Sequence, residues 1–275
     1  MTQRTILITG CSSGIGYYCA HALREKGYRV FATARKIDDV KRLAQQGFEA
    51  YQLDLDDSKS IQKAVDDIMI QTQGTLYALF NNGAYGQPGA VEDLSREVLE
   101  AQFQTNFFGT HELTNRVLPY MRAQGEGRII QNSSVLGIIA LRFRGAYNAS
   151  KFALEGLSDT LRLELEGSGI FVSLIEPGPV RSHFRQNALS KFTQHIQTEQ
   201  STFKEAYHDK LSALQSAEDV PFTLDESAVF DVLLKALESK HPKARYRVTT
   251  PTTLFWFLKR ILSTKYLDTV LKKVE

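Results

Sequence analysis

A regular alternation of short apolar runs with longer amphipathic stretches constrains the fold of this 275-residue chain more than any other feature of its sequence. The short runs are rich in Ile, Val and Phe, which is typical of strands, and the longer stretches carry apolar residues at helical spacing. Strands joined by helical crossovers pair in parallel and are covered by helices on both faces. The sequence therefore predicts an α/β fold built on a doubly wound sheet of about seven mainly parallel strands.

Seven strands and six helical regions follow from this periodicity. The predicted strands are Thr5–Thr9, Arg29–Ala34, Glu49–Leu53, Leu76–Phe80, Gly127–Gln131, Ile170–Ile175 and Tyr246–Val248. The predicted helices are Gly14–Lys26, Asp38–Gln46, Ser58–Gln73, Ser95–Arg122, Ala146–Glu166 and Glu226–Glu238. Gly27 ends the first helix, as glycine often does, and Ser58 is the expected N-cap of the third.

The segment from Gly178 to Pro221 departs from this alternation. It is polar, and its only apolar pattern is a weak one at Phe184, Phe192 and Phe203. Because long segments of this kind inside a compact domain usually cover a functional site, we expect a substrate loop over residues 178–221 that becomes ordered on ligand binding. A polar segment shields phenylalanines only by turning them inward, toward the core or a pocket. We expect one domain over residues 1–275, with a C-terminal extension at about 250–275.

Composition and charge exclude several classes of protein. The longest uninterrupted apolar runs have five residues, Leu76–Phe80 and Leu254–Leu258, whereas a membrane span needs about 20. The first residues contain no apolar stretch of the signal-peptide kind, and two cysteines, Cys11 and Cys19, cannot form a disulfide framework, so we expect a cytoplasmic location. A net charge of +2 predicts no nucleic-acid partner, and the six histidines lack metal-ligand spacing, so no metal site is expected.

A glycine-rich turn separates the first predicted strand from the first helix. Its sequence is T-G-C-S-S-G-I-G at residues 9–16, with the glycine spacing G-x-x-x-G-x-G. Glycines allow a tight turn and a close approach of the backbone to a phosphate, which the free N–H groups of the helix then bind. A turn at this place in a βαβ unit predicts a dinucleotide site, although a purely structural turn can have the same composition. The residues expected at the dinucleotide are Gly10, Ser12, Ser13, Gly14, Ile15 and Gly16.

Tyr147 is the only one of eleven tyrosines that is followed four residues later by a lysine, Lys151. That spacing places both side chains on one face of a helix. A nearby ammonium favours the phenolate, so we expect the pKa of Tyr147 to fall from about 10 toward neutrality, where tyrosine acts as a general acid or base. Ser134, just past the fifth predicted strand, is a hydrogen-bond donor on the same edge of the sheet. An isolated Tyr/Lys pair is more often an exposed helical pair, but the three residues together favour catalysis.

These motifs together resemble the classical short-chain dehydrogenase/reductase family over roughly residues 4–179. The resemblance extends to the hydroxysteroid- and retinol-dehydrogenase-like branch and to bacterial NADP-dependent aldehyde reductases, and it implies a Rossmann-type fold. The residues that carry it are T-G-x-x-x-G-I-G at residues 9–16, Asp54, Asn81-Asn82-Gly83-Ala84, Asn106, Ser134, Tyr147, Lys151 and Pro177-Gly178. The family pattern Asn-Asn-Ala-Gly stands here as Asn-Asn-Gly-Ala, with the two small residues exchanged.

The resemblance implies a role for each matched residue. Tyr147 is expected to be the acid in carbonyl reduction and the base in alcohol oxidation, and Ser134 is expected to orient the carbonyl. Lys151 is expected to lower the tyrosine pKa and to hold the nicotinamide ribose, while Asn106 positions a water in the proton relay. The other expected cofactor contacts are Asp54 and Leu55 at the adenine, Asn82, Gly83 and Ala84 at the adenosine and ribose, and Pro177, Gly178 and Val180 at the nicotinamide.

The end of the second predicted strand favours NADP over NAD. NAD enzymes of this fold normally place an acidic residue there to bind the adenosine ribose diol. Here Arg35 and Lys36 follow the strand, and the first acid, Asp38, comes three residues after Arg35. A guanidinium pairs with a 2′-phosphate, whereas a carboxylate repels it, so we expect Arg35 to bind the 2′-phosphate of NADP. The alternative is that Arg35 is a solvated loop cation.

The C-terminal stretch from Lys235 to Glu275 is basic, with ten Lys or Arg residues and three Asp or Glu around the apolar run Leu254–Leu258. We expect a helical tail that packs over the substrate pocket or a partner subunit with its cations in water. Contact with a membrane surface is the less favoured alternative. The family resemblance also implies a homodimer or homotetramer, assembled through the predicted helices Ser95–Arg122 and Ala146–Glu166.

The sequence thus predicts an NADP-dependent oxidoreductase that interconverts an apolar aldehyde or ketone and its alcohol by hydride transfer. Two alternatives stay open. An epimerase or dehydratase of the extended family is disfavoured, because its glycine motif is usually T-G-x-x-G-x-x-G. A non-catalytic protein that senses the NADP/NADPH ratio is disfavoured because such proteins typically lack the tyrosine or the lysine, and both are present here.

Overall fold

The computed structural model describes residues 3–215 and 219–274 around a seven-stranded sheet. Its strands are β1 (Thr5–Ile8), β2 (Arg29–Ala34), β3 (Glu49–Gln52), β4 (Ala78–Asn81), β5 (Gly127–Asn132), β6 (Ile170–Glu176) and β7 (Arg245–Arg247). Neighbouring strands pair in parallel in the order β3-β2-β1-β4-β5-β6-β7, which confirms the predicted doubly wound, Rossmann-type fold. The order reverses between β1 and β4, and ligands of such folds bind beyond the carboxyl ends of the strands at this point.

Eleven α-helices lie in the described part of the chain, and the boundaries of the early ones agree with the sequence prediction. They are α1 (Gly14–Glu25), α2 (Ile37–Gln45), α3 (Ser58–Gln71), α4 (Arg96–Phe103), α5 (Thr110–Gln124), α6 (Gly145–Glu164), α7 (Phe184–His195), α8 (Lys204–Gln215), α9 (Ser227–Glu238), α10 (Thr250–Ile261) and α11 (Thr264–Leu271). The predicted N-cap of α3 is wrong by one residue. Asp57 is the cap, because its carboxylate accepts the N–H of Lys59 at 2.9 Å, while the Ser58 hydroxyl donates to Glu112 at 2.6 Å.

The predicted helix Ser95–Arg122 is interrupted. A π-helical segment, Gln104–Gly109, separates α4 from α5. Its last residue passes so close to the loop after β3 that an added Cβ on Gly109 would lie 1.9 Å from the carbonyl oxygen of Leu55. The widened turn brings Asn106 into the interior of the protein, and such π segments often occur at functional sites.

The two faces of the sheet bury alternate residues of the same strand. Ile6 and Ile8 lie in a cluster covered by α1, α2 and α9, whereas Leu7 lies in the cluster covered by α3 and α5. Both faces are apolar, and the polar side chains Asn81 and Asn132 stand at the carboxyl ends of β4 and β5. No helix in the described ranges is long and apolar enough to cross a membrane.

The chain beyond β6 contains more helix than the sequence indicates. The expected loop over 178–221, of which residues 216–218 lie outside the described part of the chain, contains α7 and α8, which contact each other. Phe192 is buried beside Tyr207, while Phe184 and Phe203 are partly buried against apolar clusters. The expected C-terminal extension forms α10 and α11, which pack against the turn after β5. Helical periodicity is weak in this region because each of these helices buries only a narrow side.

Candidate active site

The turn between β1 and α1 has the geometry of an anion site. Gly10 and Gly14 have φ angles of +71° and +57°, which side chains other than glycine rarely adopt. An added Cβ on Gly16 would lie 2.4 Å from the carbonyl oxygen of Gly10, so the turn closes only with glycine there. Ser13 stands at the N-cap of α1, but its side chain makes no capping hydrogen bond, which leaves the first N–H groups of the helix for a ligand. These residues fit the pyrophosphate of a dinucleotide.

A chain of hydrogen bonds joins this turn to the ends of β4 and β5. The Asn82 side-chain amide donates to the Thr9 carbonyl oxygen at 3.0 Å, and the Thr9 hydroxyl accepts the backbone N–H groups of Asn82 and Gly83. The Asn132 amide donates in turn to the Asn82 side-chain oxygen at 2.9 Å. An added Cβ on Gly83 would lie only 3.2 Å from the Thr9 hydroxyl. Glycine therefore fits well at position 83, the first of the two small residues that are exchanged relative to the family pattern.

Tyr147 and Ser134 are brought together at the carboxyl end of β5. Tyr147 lies in the first turn of α6 and Ser134 in the turn after β5, and the Ser134 side chain lies close enough to the phenol to act on its pKa. The Ser134 hydroxyl also accepts the N–H of Leu136 at 3.1 Å, which fixes its position. The Tyr147 ring is buried, and Phe184 of α7 packs against it in an edge-on arrangement with a centroid separation of 5.2 Å.

Burial raises the pKa of Tyr147 to about 12, and the hydrogen bond with Ser134 opposes the shift. The expected fall toward neutrality is therefore wrong for this structure. Apolar side chains enclose the phenol, while the Lys151 ammonium lies 5.7 Å from the ring centroid and burial lowers its own pKa to about 8. A phenol that keeps its proton at neutral pH is suited to donating that proton to a developing alkoxide.

Lys151 is held by a backbone carbonyl. Its Nζ donates to the carbonyl oxygen of Asn132 at 2.6 Å, and the side chain of Asn132 continues the chain of hydrogen bonds to Asn82. The buried ammonium thus lies where α6 meets the carboxyl edge of the sheet. This bond uses one of its three N–H donors, so the ammonium retains the capacity to bind a ligand hydroxyl.

Asn106 connects the loop after β4 to α6. Its Nδ2 donates to the Tyr85 carbonyl oxygen at 2.9 Å and to the Ser150 hydroxyl at 3.2 Å, and its Oδ1 accepts the N–H of Tyr85. The Ser150 hydroxyl donates to the carbonyl oxygen of Tyr147 at 2.9 Å. Asn106 therefore supports the helical turn that carries the tyrosine, and its role in positioning a water stays a prediction.

The other residues expected at a cofactor lie along the same edge of the sheet. Leu55 is buried in the core, while the Asp54 carboxylate accepts the N–H of Asp56 at 3.1 Å and stabilises the loop after β3. The Pro177 carbonyl oxygen accepts the N–H of Val135 at 2.7 Å, which ties the end of β6 to the turn that holds Ser134. The remaining residues of the set are partly buried: Ser12, Ile15, Ala84, Gly178 and Val180.

Arg35 is exposed directly after β2. The end of β2 is joined to the glycine turn, because the N–H of Cys11 donates to the carbonyl oxygen of Thr33 at 2.8 Å. Within the described residues the Arg35 guanidinium has no ion-pair partner, whereas the nearest acid along the chain, Asp38, lies 3.9 Å from Lys41. Arg35 is thus a cation without an ion-pair partner among the described residues, and it directly follows the strand that borders the phosphate turn.

A partly buried ionic cluster beside the site escapes sequence analysis. Arg245 of β7 lies 3.1 Å from Glu155 and 2.6 Å from Asp159, both on α6, and 3.1 Å from Glu176 at the end of β6. Burial, followed by the neighbouring Glu155 carboxylate, raises the pKa of Glu176 to about 7. Glu155 follows Lys151 by one helical turn, so the helical spacing could have revealed it. No local signal marks Arg245.

The apolar surroundings of Tyr147 are a second feature that sequence analysis misses. Side chains from α10 and α11 reach the site, because Phe255 and Leu271 are buried in one cluster with Tyr147 and with Ile138 of the turn after β5. Phe184 completes this enclosure, and an added Cβ on Gly86 would lie 2.7 Å from its ring. The site therefore places a pair of hydroxyl groups in an apolar environment.

Comparison with known proteins agrees with this geometry. A family model described as short chain dehydrogenase matches residues 4–192. "Uncharacterized oxidoreductase YbbO" of Escherichia coli (strain K12) is 44% identical over 270 residues, which cover 98% of this chain and 94% of that protein. Human 17-beta-hydroxysteroid dehydrogenase type 1 is 33% identical over 262 residues, which cover 90% and 78%.

A solved structure shows the same fold. The crystal structure of a short chain dehydrogenase/reductase from Burkholderia phymatum in complex with NAD aligns with a TM-score of 0.79 at 21% identity, covering 98% of this chain and 95% of that one. The family match extends over more than half of the chain, and the similar proteins include hydroxysteroid and retinol dehydrogenases. The chain therefore belongs to the classical short-chain dehydrogenase/reductase family of oxidoreductases, in its hydroxysteroid- and retinol-dehydrogenase-like branch.

Proposed function

We propose that this protein is an NADP(H)-dependent oxidoreductase that interconverts an apolar aldehyde or ketone and the corresponding alcohol. The observation that carries the proposal is the pairing of the Ser134 and Tyr147 side chains, with Lys151 one helical turn after Tyr147 and an apolar cluster around the phenol ring. Two adjacent hydroxyls, one of them a buried phenol, can bind a single carbonyl oxygen and deliver a proton to it.

The roles of the two hydroxyls follow from their environments. A bound nicotinamide supplies the hydride for reduction and accepts it in oxidation. Ser134 donates a hydrogen bond to the carbonyl oxygen and holds it beside the phenol. Tyr147 transfers its proton to that oxygen as negative charge develops there, because a pKa of about 12 keeps the phenol protonated in neutral water and still acidic toward an alkoxide. In the reverse direction the phenolate accepts the proton of the alcohol.

Lys151 has two proposed tasks. Its N–H donors not used by Asn132 bind the hydroxyls of the nicotinamide ribose, and its positive charge stabilises the Tyr147 phenolate left after proton transfer. Burial lowers the pKa of Lys151 to about 8, so this positive charge is present below about pH 8 and is lost above it. We therefore expect kcat for reduction to decline as the pH rises through about 8.

The preference for NADP rests on Arg35. The guanidinium is exposed at the carboxyl end of β2 next to the glycine turn, with no ion-pair partner among the described residues, and a 2′-phosphate offers it a bidentate partner. The carboxylate that would bind a ribose diol in an NAD enzyme is not found at the end of β2. The solved structure from Burkholderia phymatum contains NAD, so the fold by itself does not select NADP.

The enclosure of Tyr147 supports an apolar substrate. A carbonyl group placed at the two hydroxyls has its substituents beside Phe184, Ile138 and the side chains of α10, and each methylene buried there contributes up to about 0.8 kcal/mol. One relative is a hydroxysteroid dehydrogenase by name, which is consistent with an apolar substrate class. The segment 178–221 is proposed to close over this substrate within one domain.

Assembly and location are part of the same proposal. We propose a cytoplasmic homodimer or homotetramer that associates through the π segment, α5 and α6. Phe108 and Leu163 on these elements are 51% and 63% exposed in the single chain, and large apolar side chains of this kind are commonly covered in an assembly.

NADPH oxidation by the full chain tests the proposal. Purified protein is incubated with NADPH and a panel of apolar aldehydes, ketosteroids and retinal, and cofactor absorbance is followed. We expect turnover with the apolar carbonyl compounds and slower or no turnover with NADH. Tight NADPH binding without turnover over the whole panel would instead support the NADP(H)-sensing alternative, and turnover that is faster with NADH would contradict the cofactor assignment.

A further inference from the structure

The outward side of α10 is apolar. Leu254, Phe257 and Ile261 follow one another at spacings of three and four residues, so they lie on one side of the helix. They are 51%, 54% and 59% exposed, whereas Phe255 and Thr252 on the opposite side are buried. Half of this helix therefore packs against the body of the protein, as the sequence predicts, and the other half presents three large apolar side chains to solvent.

Aromatic residues with polar neighbours flank this stripe. Trp256 lies between the guanidinium groups of Arg247 and Arg260, which approach its ring centroid at 3.9 and 3.8 Å. Tyr266 of α11 is exposed. Tryptophan and tyrosine beside an apolar surface are the residues that membrane-bound proteins concentrate at the boundary between lipid and water.

The same two helices are basic. From residue 247 to residue 274 the chain contains six Lys or Arg residues and a single acid, Asp268. The exposed cations around the apolar stripe are Arg260 on α10, Lys265 on α11, and Lys272 and Lys273 directly after α11. An apolar face bordered by cations is complementary to a bilayer that contains anionic lipids, where each Lys or Arg near the surface strengthens binding.

We propose that α10 and α11 form a docking surface for an anionic lipid bilayer, with Leu254, Phe257 and Ile261 inserted at the headgroup boundary. A second copy of the chain fits this surface less well. In a two-fold contact through this face, each residue of the patch meets the patch of the other copy, so the same cations would be brought together, with Asp268 as the one acid among the described residues 247–274. A bilayer with anionic headgroups accepts both the apolar side chains and the charges.

The inner side of the same helices gives the docking surface a functional position. Phe255 of α10 and Leu271 of α11 are buried in one cluster with Tyr147. Docking through the outer side therefore sets the enclosed tyrosine close to the membrane, where apolar carbonyl compounds accumulate. This last step rests on the proposed function, whereas lipid binding itself rests only on the outer face.

Flotation of the full chain with lipid vesicles tests the proposal. Vesicles of pure phosphatidylcholine are compared with vesicles that also contain phosphatidylglycerol, and bound protein is measured in the floated fraction. We expect binding to the anionic vesicles at low salt, a loss at high salt because the charges are screened, and at least tenfold weaker binding to phosphatidylcholine alone. NADPH oxidation is measured without vesicles in the same preparation, so a failure of lipid binding is distinguished from a failure of the proposed function.

Matched variants identify the surface. The double substitution Phe257→Ser with Ile261→Ser removes apolar side chains that do not contact the core, and we expect at least a tenfold loss of partitioning with an unchanged circular dichroism spectrum. Ile70→Ser is the control, because Ile70 is 74% exposed on α3, a different part of the surface. This variant should bind vesicles as the wild type does. The double substitution Lys265→Glu with Lys272→Glu should weaken anionic binding by about tenfold or more.

Three outcomes would overturn the proposal. One is that the wild type fails to float with anionic vesicles. A second is that Phe257→Ser with Ile261→Ser floats as well as Ile70→Ser. The third is that all proteins bind vesicles weakly, while Phe257→Ser with Ile261→Ser changes the sedimentation coefficient in the absence of lipid. This result would show that the face forms a contact between copies of the chain.

Discussion

The part of the chain up to the end of β6 and the part beyond it contribute to the site in different ways. In the first part, Thr9, Asn82, Asn132 and Lys151 form a continuous chain of hydrogen bonds across the carboxyl ends of β1, β4 and β5. In the second part, helices reach the site through apolar side chains such as Phe255, and α10 leaves further apolar side chains in solvent. We therefore propose that chemistry and cofactor binding reside in the first part, and substrate range in the second.

The largest expected effect is on the first part, at Tyr147. Tyr147→Phe removes the transferable proton and keeps the ring packed against Phe184, so kcat should fall by about 10² to 10⁴-fold while NADPH affinity changes little. Tyr266→Phe, at an exposed tyrosine of α11, is the matched control and should keep normal turnover. Steady-state kinetics and fluorescence titration with NADPH measure the two quantities. Near-normal turnover of Tyr147→Phe would show that another group donates the proton.

Cofactor choice is also assigned to the first part. Arg35→Asp replaces an attractive pair with a repulsive one, so NADP(H) binding should weaken by about 2–3 kcal/mol, or about 30- to 150-fold in Kd, with NAD(H) use unchanged or improved. Lys41→Asp, on the exposed side of α2, is the control and should retain NADPH affinity. If Arg35→Asp still prefers NADPH, Arg35 does not bind the 2′-phosphate, and the cofactor assignment is wrong.

The ionic cluster at the boundary between the two parts offers a smaller effect on stability. The pKa of Glu176 is raised from 4.5 to about 7, so its contribution to stability is present below about pH 4.5 and is lost as the pH rises through 7. Glu176→Gln removes this titration. Relative to the wild type, its free energy of unfolding should increase by up to about 3 kcal/mol between pH 4.5 and pH 8, as measured by urea denaturation.

Glu164→Gln is the control for this measurement, because Glu164 is exposed at the end of α6. Its free energy of unfolding should follow that of the wild type at every pH. If the free energy of unfolding of Glu176→Gln also follows that of the wild type, then the ion pair with Arg245 offsets the cost of the buried Glu176 charge fully. The prediction of a raised Glu176 pKa would then be contradicted.

The sequence predicts the first part well because its signals are local. A glycine at a positive φ, a strand of β-branched residues and the spacing from Tyr147 to Lys151 are each fixed within a few residues. The pKa of Tyr147 was not predictable in the same way, since it depends on burial by side chains from α7, α10 and α11. The same reason explains why Arg245 was missed, as its three acidic partners come from α6 and β6.

The second part shows the limit of periodicity. Phe184 and Phe192 are separated by eight residues on α7, but the helix buries so few side chains that its pattern is weak. The interruption of the predicted helix Ser95–Arg122 has a similar origin, because it depends on the approach of Gly109 to the carbonyl oxygen of Leu55, which is distant in sequence. Tertiary contacts of this kind leave no local signal.

The dependence of kcat/KM on aldehyde chain length tests the central claim most directly, because it measures the two parts of the molecule in one assay. For the wild type with NADPH, kcat/KM should rise from about three carbons toward about eight or ten, by up to about fourfold for each methylene, before levelling off. In Phe184→Ser this slope should flatten while the Kd for NADPH stays unchanged, because Phe184 packs against the Tyr147 ring within the apolar cluster. A flat profile in the wild type, or a preference for small charged carbonyl compounds, would contradict the account.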